Sequence, residues 1–125
     1  MKGRRGRSTR PLFVAIVAVV MVVMLTVTAV AITKTTRAAS GNRWKPKRIE
    51  ITKGDRVRWR NPTNRVHDVT AWGGKWSFSK VLSPGERAVK RFRKRGTFKF
   101  RCARHSGIVG GKCQGMCGVV KVTRR

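Results

Sequence analysis

Cys102 stands three residues before His105, a second imidazole lies upstream at His67, and a thioether lies downstream at Met116. The chain of 125 residues holds two His and three Cys in all. That inventory excludes an enzyme with several His-rich metal centres, and four carboxylates leave little for paired acid–base catalysis. Three thiols cannot all pair. Outside a cell an exposed free thiol oxidises readily, and a bound metal would protect it. Cys102 is the candidate for that unpaired thiol. A thiolate, two imidazoles and a weak thioether suit copper. Held in nearly one geometry in both oxidation states, copper passes an electron with little reorganisation.

These donors converge only if rigid elements carry them. From Arg43 on, apolar residues alternate rather than recur at helical spacing. Ile49 and Ile51 share a face, as do Val57 and Trp59, with Arg56, Arg58 and Arg60 opposite. His67, Val69 and Ala71 share the next, Phe98, Phe100 and Cys102 another, and Val120 and Val122 the last. Turns are expected at Asn61-Pro62, Gly73-Gly74, Pro84-Gly85 and Gly110-Gly111. Short alternating strands between such turns predict an all-β antiparallel sandwich or barrel. Val89 and Phe92, three apart, fit period 2 badly and predict a bulge or register slip between Glu86 and Arg95. Trp44, Trp59, Trp72 and Trp76 read as core and loop packing rather than an electron relay.

A basic stretch, residues 1–10, precedes an uncharged apolar run over residues 11–32. That pattern predicts one N-terminal hydrophobic helix, either an uncleaved membrane anchor or an export signal cut after Ala29-Val30-Ala31. Both readings place residues from about 33 onward outside the cytoplasm, membrane-anchored or secreted. Residues 33–42 are small and polar and read as a tether, leaving 43–125 as the domain. Lys plus Arg number 31 against 4 Asp plus Glu, a net charge of +27. Without residues 1–31 the remainder still carries 26 basic residues against 4 acidic, or +22.

Residues 44–123 resemble the plastocyanin/azurin family of cupredoxins. The entry strands WKPKRIEITKGDRVRWRN, the NRVHDV segment, the SPGE turn, and GTFKFRCARH followed by GMCGVVKV match in order. The resemblance implies a Greek-key β-sandwich holding one type 1 copper ion through His67, Cys102, His105 and Met116. It also implies single-electron transfer through the solvent-side edge of His105. Two features depart from the family. Plastocyanins commonly place four residues between the ligand His and Met, whereas ten separate His105 from Met116. Asp68 stands where plastocyanins usually carry an Asn that hydrogen-bonds to the Cys-bearing segment; a carboxylate there accepts the same bonds but adds charge beside the copper. Cys113 and Cys117 resemble the Cys-x3-Cys of the binuclear copper centre in cytochrome oxidase subunit II. That centre needs a His where Lys121 stands and a Met where Arg124 stands, so a disulfide closing the loop around Met116 is expected instead.

Three functions follow: an exported one-electron carrier, a copper carrier or buffer without redox turnover, and a cationic surface-binding module. Catalysis is not expected, since nitrite reductases and multicopper oxidases of this fold need further His ligands. Expected partners are an acidic redox protein or membrane oxidase, and an anionic membrane or cell-wall surface. Arg87, Lys90, Arg91, Arg93, Lys94 and Arg95 crowd one segment that suits phosphates. Exposed aromatics interleaved with those cations are not evident, so nucleic acid is not an expected partner.

Overall fold

The computed structural model describes residues 23–124, together with Gly3 and Gly6. Nine strands occur among them: β1 (Thr33–Ala39), β2 (Arg43–Lys45), β3 (Arg48–Thr52), β4 (Arg56–Arg60), β5 (His67–Trp72), β6 (Ser79–Leu82), β7 (Arg87–Arg91), β8 (Gly96–Val109) and β9 (Lys112–Thr123). They form a sandwich of two sheets, ordered β2-β1-β4-β7 and β3-β9-β8-β5-β6. Alternation does the sorting, as period 2 requires. Val57 and Trp59 are fully buried while Arg60 is exposed, and Phe98, Phe100 and Cys102 face inward while Lys99 faces out. Trp59 sits at the centre of the core, with ring centroids 5.4 Å from Phe100, 5.6 Å from Phe78 and 6.4 Å from Phe92. The tryptophans are not uniformly interior: Trp44 is buried, whereas Trp72 and Trp76 are half-buried.

Three expectations need adjustment, and a fourth lies largely outside the described residues. Residues 33–39, read as tether, form β1, which pairs in parallel with β4 and antiparallel with β2. Only small residues of β1, Thr36 and Ala38, turn inward, so the strand has no hydrophobic signature. Second, the sheets are mixed rather than antiparallel, because β3 also runs parallel to β9. Third, the β4–β7 register is continuous from Arg60↔Arg87 to Arg56↔Arg91, with no slip. Val89 simply points outward, and Ala88 and Phe92, of equal parity, are the buried pair. The one register shift in β8 lies between Arg101 and Ser106. Fourth, the helix expected over residues 11–32 falls largely outside the described residues. Residues 23–32 have no regular secondary structure, and no helix among the described residues is long and apolar enough to cross a membrane.

Candidate metal centre

The register shift in β8 lets the chain leave the ladder at Cys102 and rejoin it at Ser106. Bulges of this kind re-aim side chains. Here Cys102 closes the aromatic strand facing inward, and His105 folds back over it. β5 begins beside them with His67, which is 1% exposed. The three donor atoms form a triangle: His67 Nδ1 to His105 Nδ1 is 3.2 Å, His105 Nδ1 to Cys102 Sγ 3.3 Å, and Cys102 Sγ to His67 Nδ1 3.8 Å. A point equidistant from atoms so spaced lies about 2.0 Å from each, close to metal–nitrogen bond lengths of about 2.0–2.1 Å and metal–sulfur of about 2.3 Å. This is the metal-capable group of His, Cys and carboxylate side chains found among the described residues.

Hydrogen bonds assign the proton on His67. Asn61 is 1% exposed, and its Nδ2 donates to the carbonyls of Arg65 at 2.6 Å and Leu82 at 2.8 Å. Its Oδ1 therefore accepts the Thr63 hydroxyl at 2.6 Å and the Thr63 N–H at 3.1 Å. With its hydrogen so committed, Thr63 Oγ1 can only accept from His67 Nε2, 3.1 Å away. The proton sits on Nε2, and Nδ1 turns a lone pair toward His105. That lone pair accepts a proton from His105 Nδ1, 3.2 Å away, or, with His105 in its other tautomer, faces a second lone pair across room for a cation, so the residues fit a metal.

Asp68 fastens the two sides of the site. Its N–H donates to Cys102 Sγ at 3.3 Å, while its Oδ1 accepts from that thiol at 3.3 Å and from the Arg104 N–H at 3.2 Å. Oδ2 accepts from the Ala103 N–H at 2.9 Å and from Thr70 Oγ1 at 2.5 Å. Arg104 Nε adds a longer ion-pair contact at 4.0 Å. This is the cross-link that the resemblance assigns to an Asn, made by a carboxylate.

The environment sets each charge. Burial, then the neighbouring His105 and Arg65, hold the His67 imidazole below its ordinary 6.5, against Asp68. Burial pushes the Asp68 carboxyl up, but hydrogen bonds from Thr70, Ala103, Arg104 and Cys102 outweigh it and hold the carboxyl below 3.8. Burial raises the Cys102 thiol above 9.0, helped by the Asp68 hydrogen bond and charge and opposed by the N–H groups of Asp68 and Arg104. Without a metal the thiol keeps its proton, which it donates to Asp68.

Met116 is fully buried on β9. The residues flanking it are Gly115, at φ +98°, and Cys117, which forms a disulfide with Cys113. Cys102 is the remaining free thiol. The pairing expected from parity is present. Asn61 and Thr63 were not singled out as site residues. Their signal was the Asn-Pro-Thr turn four residues before His67, legible as a turn but not as a support for the imidazole.

A scan against protein-family models and a search of curated proteins both return no match to this sequence. Solved structures do resemble it. A purple cupredoxin from Nitrosopumilus maritimus gives a TM-score of 0.58 at 20% identity, the match covering 71% of this chain and 98% of that one. A reduced amicyanin mutant gives 0.61 at 18% identity, over 73% of this chain and 82% of its own. A Cu-containing nitrite reductase from Thermus scotoductus gives 0.60 at 24% identity over 78% of this chain, but the match spans only 23% of that longer protein. At these identities the likeness is one of fold.

Proposed function

Taking as premise a cupredoxin fold that closes around a His-Cys-His group, we propose that this chain is an exported one-electron carrier with a single type 1 copper. The donor triangle carries the reading, because its spacing and its lone pairs match one small, imidazole- and thiolate-preferring cation. His67, Cys102 and His105 would hold the ion, with Met116 as a weak thioether donor. Copper so held supplies Cu(I)/Cu(II) chemistry without a change of shape.

The rest of the work falls to the chain. Thr63 holds His67 in the one tautomer that offers Nδ1. Asp68 holds the Cys102 loop against β5, so neither donor drifts when the charge of the site changes. Cys102 must release its proton when the site fills, which makes loading pH-dependent. His105, half-buried, is the donor with an edge toward solvent and is the port for the electron. Both His of the chain belong to the triangle, which supports a carrier over an enzyme needing a second copper. The Cys113–Cys117 disulfide supports an oxidising compartment.

Visible absorption and electron paramagnetic resonance of the copper-loaded chain test this. A strong red-absorbing thiolate band that bleaches reversibly on reduction, and disappears in Cys102→Ser, is expected. Colourless copper binding that survives Cys102→Ser would overturn the assignment and leave a copper carrier without redox turnover.

A further inference from the structure

Strand polarity gathers one end of the sandwich far from the donor triangle. Thr52 pairs with Thr123, Arg56 with Arg91 and Gly96 with Val122, so the β3–β4 turn, the β7–β8 turn and the end of β9 meet there. Six cations exposed to solvent converge on this pole: Lys53, Arg91, Arg93, Lys94, Arg95 and Arg124. The carboxylate in these turns, Asp55, is 1% exposed and spends its oxygens inward, on the N–H groups of Ile32 and Thr52 and on Thr52 Oγ1. It offers no anion to the surface.

The apolar N-terminal segment enters at this same pole. Ile32 is tied to it twice, through its N–H to Asp55 Oδ1 at 3.0 Å and through its carbonyl from the Arg56 N–H at 2.9 Å. Just before it, Val23, Met24, Leu25, Val27 and Val30 are 74–90% exposed. An apolar segment rising into a ring of cations is the pattern of a surface that sits on lipid, where each cation near an anionic leaflet strengthens attachment about fivefold. A nucleic acid would use the cations but leave the apolar segment unexplained.

We infer that this pole is a docking face for an anionic lipid bilayer and that it holds the donor triangle outward. Cys102 lies six residues along β8 from Gly96, about 20 Å at roughly 3.3 Å per residue, on the far side of the core. The inference does not depend on which metal the triangle binds. On this reading Arg91, Arg93 and Arg95 face the membrane, away from His105.

Hydrogen–deuterium exchange of the full chain in lipid nanodiscs tests it. Discs of phosphatidylcholine alone are compared with discs enriched in phosphatidylglycerol, each at low and high salt. Exchange over 53–56 and 92–95 should slow several-fold in the anionic discs at low salt, while 103–106 is unchanged. Arg93→Gln/Lys94→Gln/Arg95→Gln should lower the docked population on the order of a hundredfold. Arg37→Gln/Arg43→Gln/Lys45→Gln removes the same charge from exposed positions at the other end and should leave docking intact. Unchanged exchange at Val57 and Trp59 verifies that each variant is folded. Equal slowing in both kinds of disc, equal loss in both triple variants, or slowing by an oligonucleotide but not by lipid would each overturn the inference.

Discussion

A carboxylate 3.3 Å from the sulfur that would bind copper is the least expected group in the centre. At Asp68 the backbone and hydroxyl donors keep it ionised, so its charge is present at neutral pH. A fixed anion stabilises Cu(II) over Cu(I), because the higher charge gains more. Asp68→Asn should raise the reduction potential by the equivalent of about 1–3 kcal/mol, read by redox titration of the blue band. A lower potential would show that the carboxylate does not face the ion. Thr63 acts one bond further out. Thr63→Val should weaken copper about 10–100-fold in a chelator competition while Thr63→Ser restores it, because the hydroxyl and not the shape orients His67. Equal affinity in all three proteins would remove Thr63 from the site. Acid acts through the same residues. His67 is depressed below 6.5, so the folded metal-free chain binds fewer protons than the unfolded one as pH falls through the window from 6.5 to the depressed value. Stability present above 6.5 is lost across that window, and a second loss begins below 3.8 as Asp68 titrates. Thermal melts against pH should show both losses, the upper one missing in His67→Gln and the lower one in Asp68→Asn.

The β8–β9 hairpin is the element on which the site depends. It carries Cys102, His105 and Met116 on two adjacent strands, and the loop between Arg101 and Ser106 is what separates the first two donors from the ladder. Gly115 pairs with Ser106 across that loop at φ +98°, where a Cβ would press on the backbone carbonyl of His105. Gly115→Ala should therefore cost about 1–3 kcal/mol in denaturant unfolding, and it should also shift the copper absorption. Stability lost with an unchanged spectrum would mean that the arm and the centre are mechanically separate. The ten-residue spacing between His105 and Met116 becomes intelligible here as well. The extra residues extend the two strands past the site as a paired arm, from Ser106↔Gly115 to Val109↔Lys112, and Cys113–Cys117 ties the arm near its tip to the residue after Met116.

At the scale of the molecule two groups of cations stand at opposite ends. Arg65 and Arg104 are exposed beside His67 and His105, whereas Arg91, Arg93 and Arg95 stand at the opposite pole. Long-range attraction speeds encounter with an acidic partner, and at about 0.15 M salt it is screened beyond roughly 8 Å. The electron-transfer rate with such a partner should fall steeply with salt, while that with a neutral small reductant barely changes. Arg65→Gln/Arg104→Gln should flatten the slope in stopped-flow traces, and neutralising Arg91, Arg93 and Arg95 should not. The reverse pattern would place the partner at the far pole.

Which residues face inward was legible along the chain, because a strand alternates its side chains by local sterics alone and Val57, Trp59, Phe100 and Val122 needed no partner to declare it. The donors were legible for a related reason: Cys102 and His105 lie on one short segment, and few other residues of the chain could complete them. The Cys113–Cys117 pairing followed from parity. What Thr33–Ala39 does was not legible, since its buried positions hold only Thr36 and Ala38, and it is a strand because β4 offers it an open edge. Val89 misled for a similar reason. An apolar residue on an outer face looks like a break in register until the partner strand fixes which parity is inside. The support from Asn61 through Thr63 to His67 needed loop closure, because its bonds join β4's end to β5 and β6 across a turn. The gathering of six cations into one pole needed the whole ladder. Charge along a chain is local, but which turns share an end of the sandwich is decided only by strand direction.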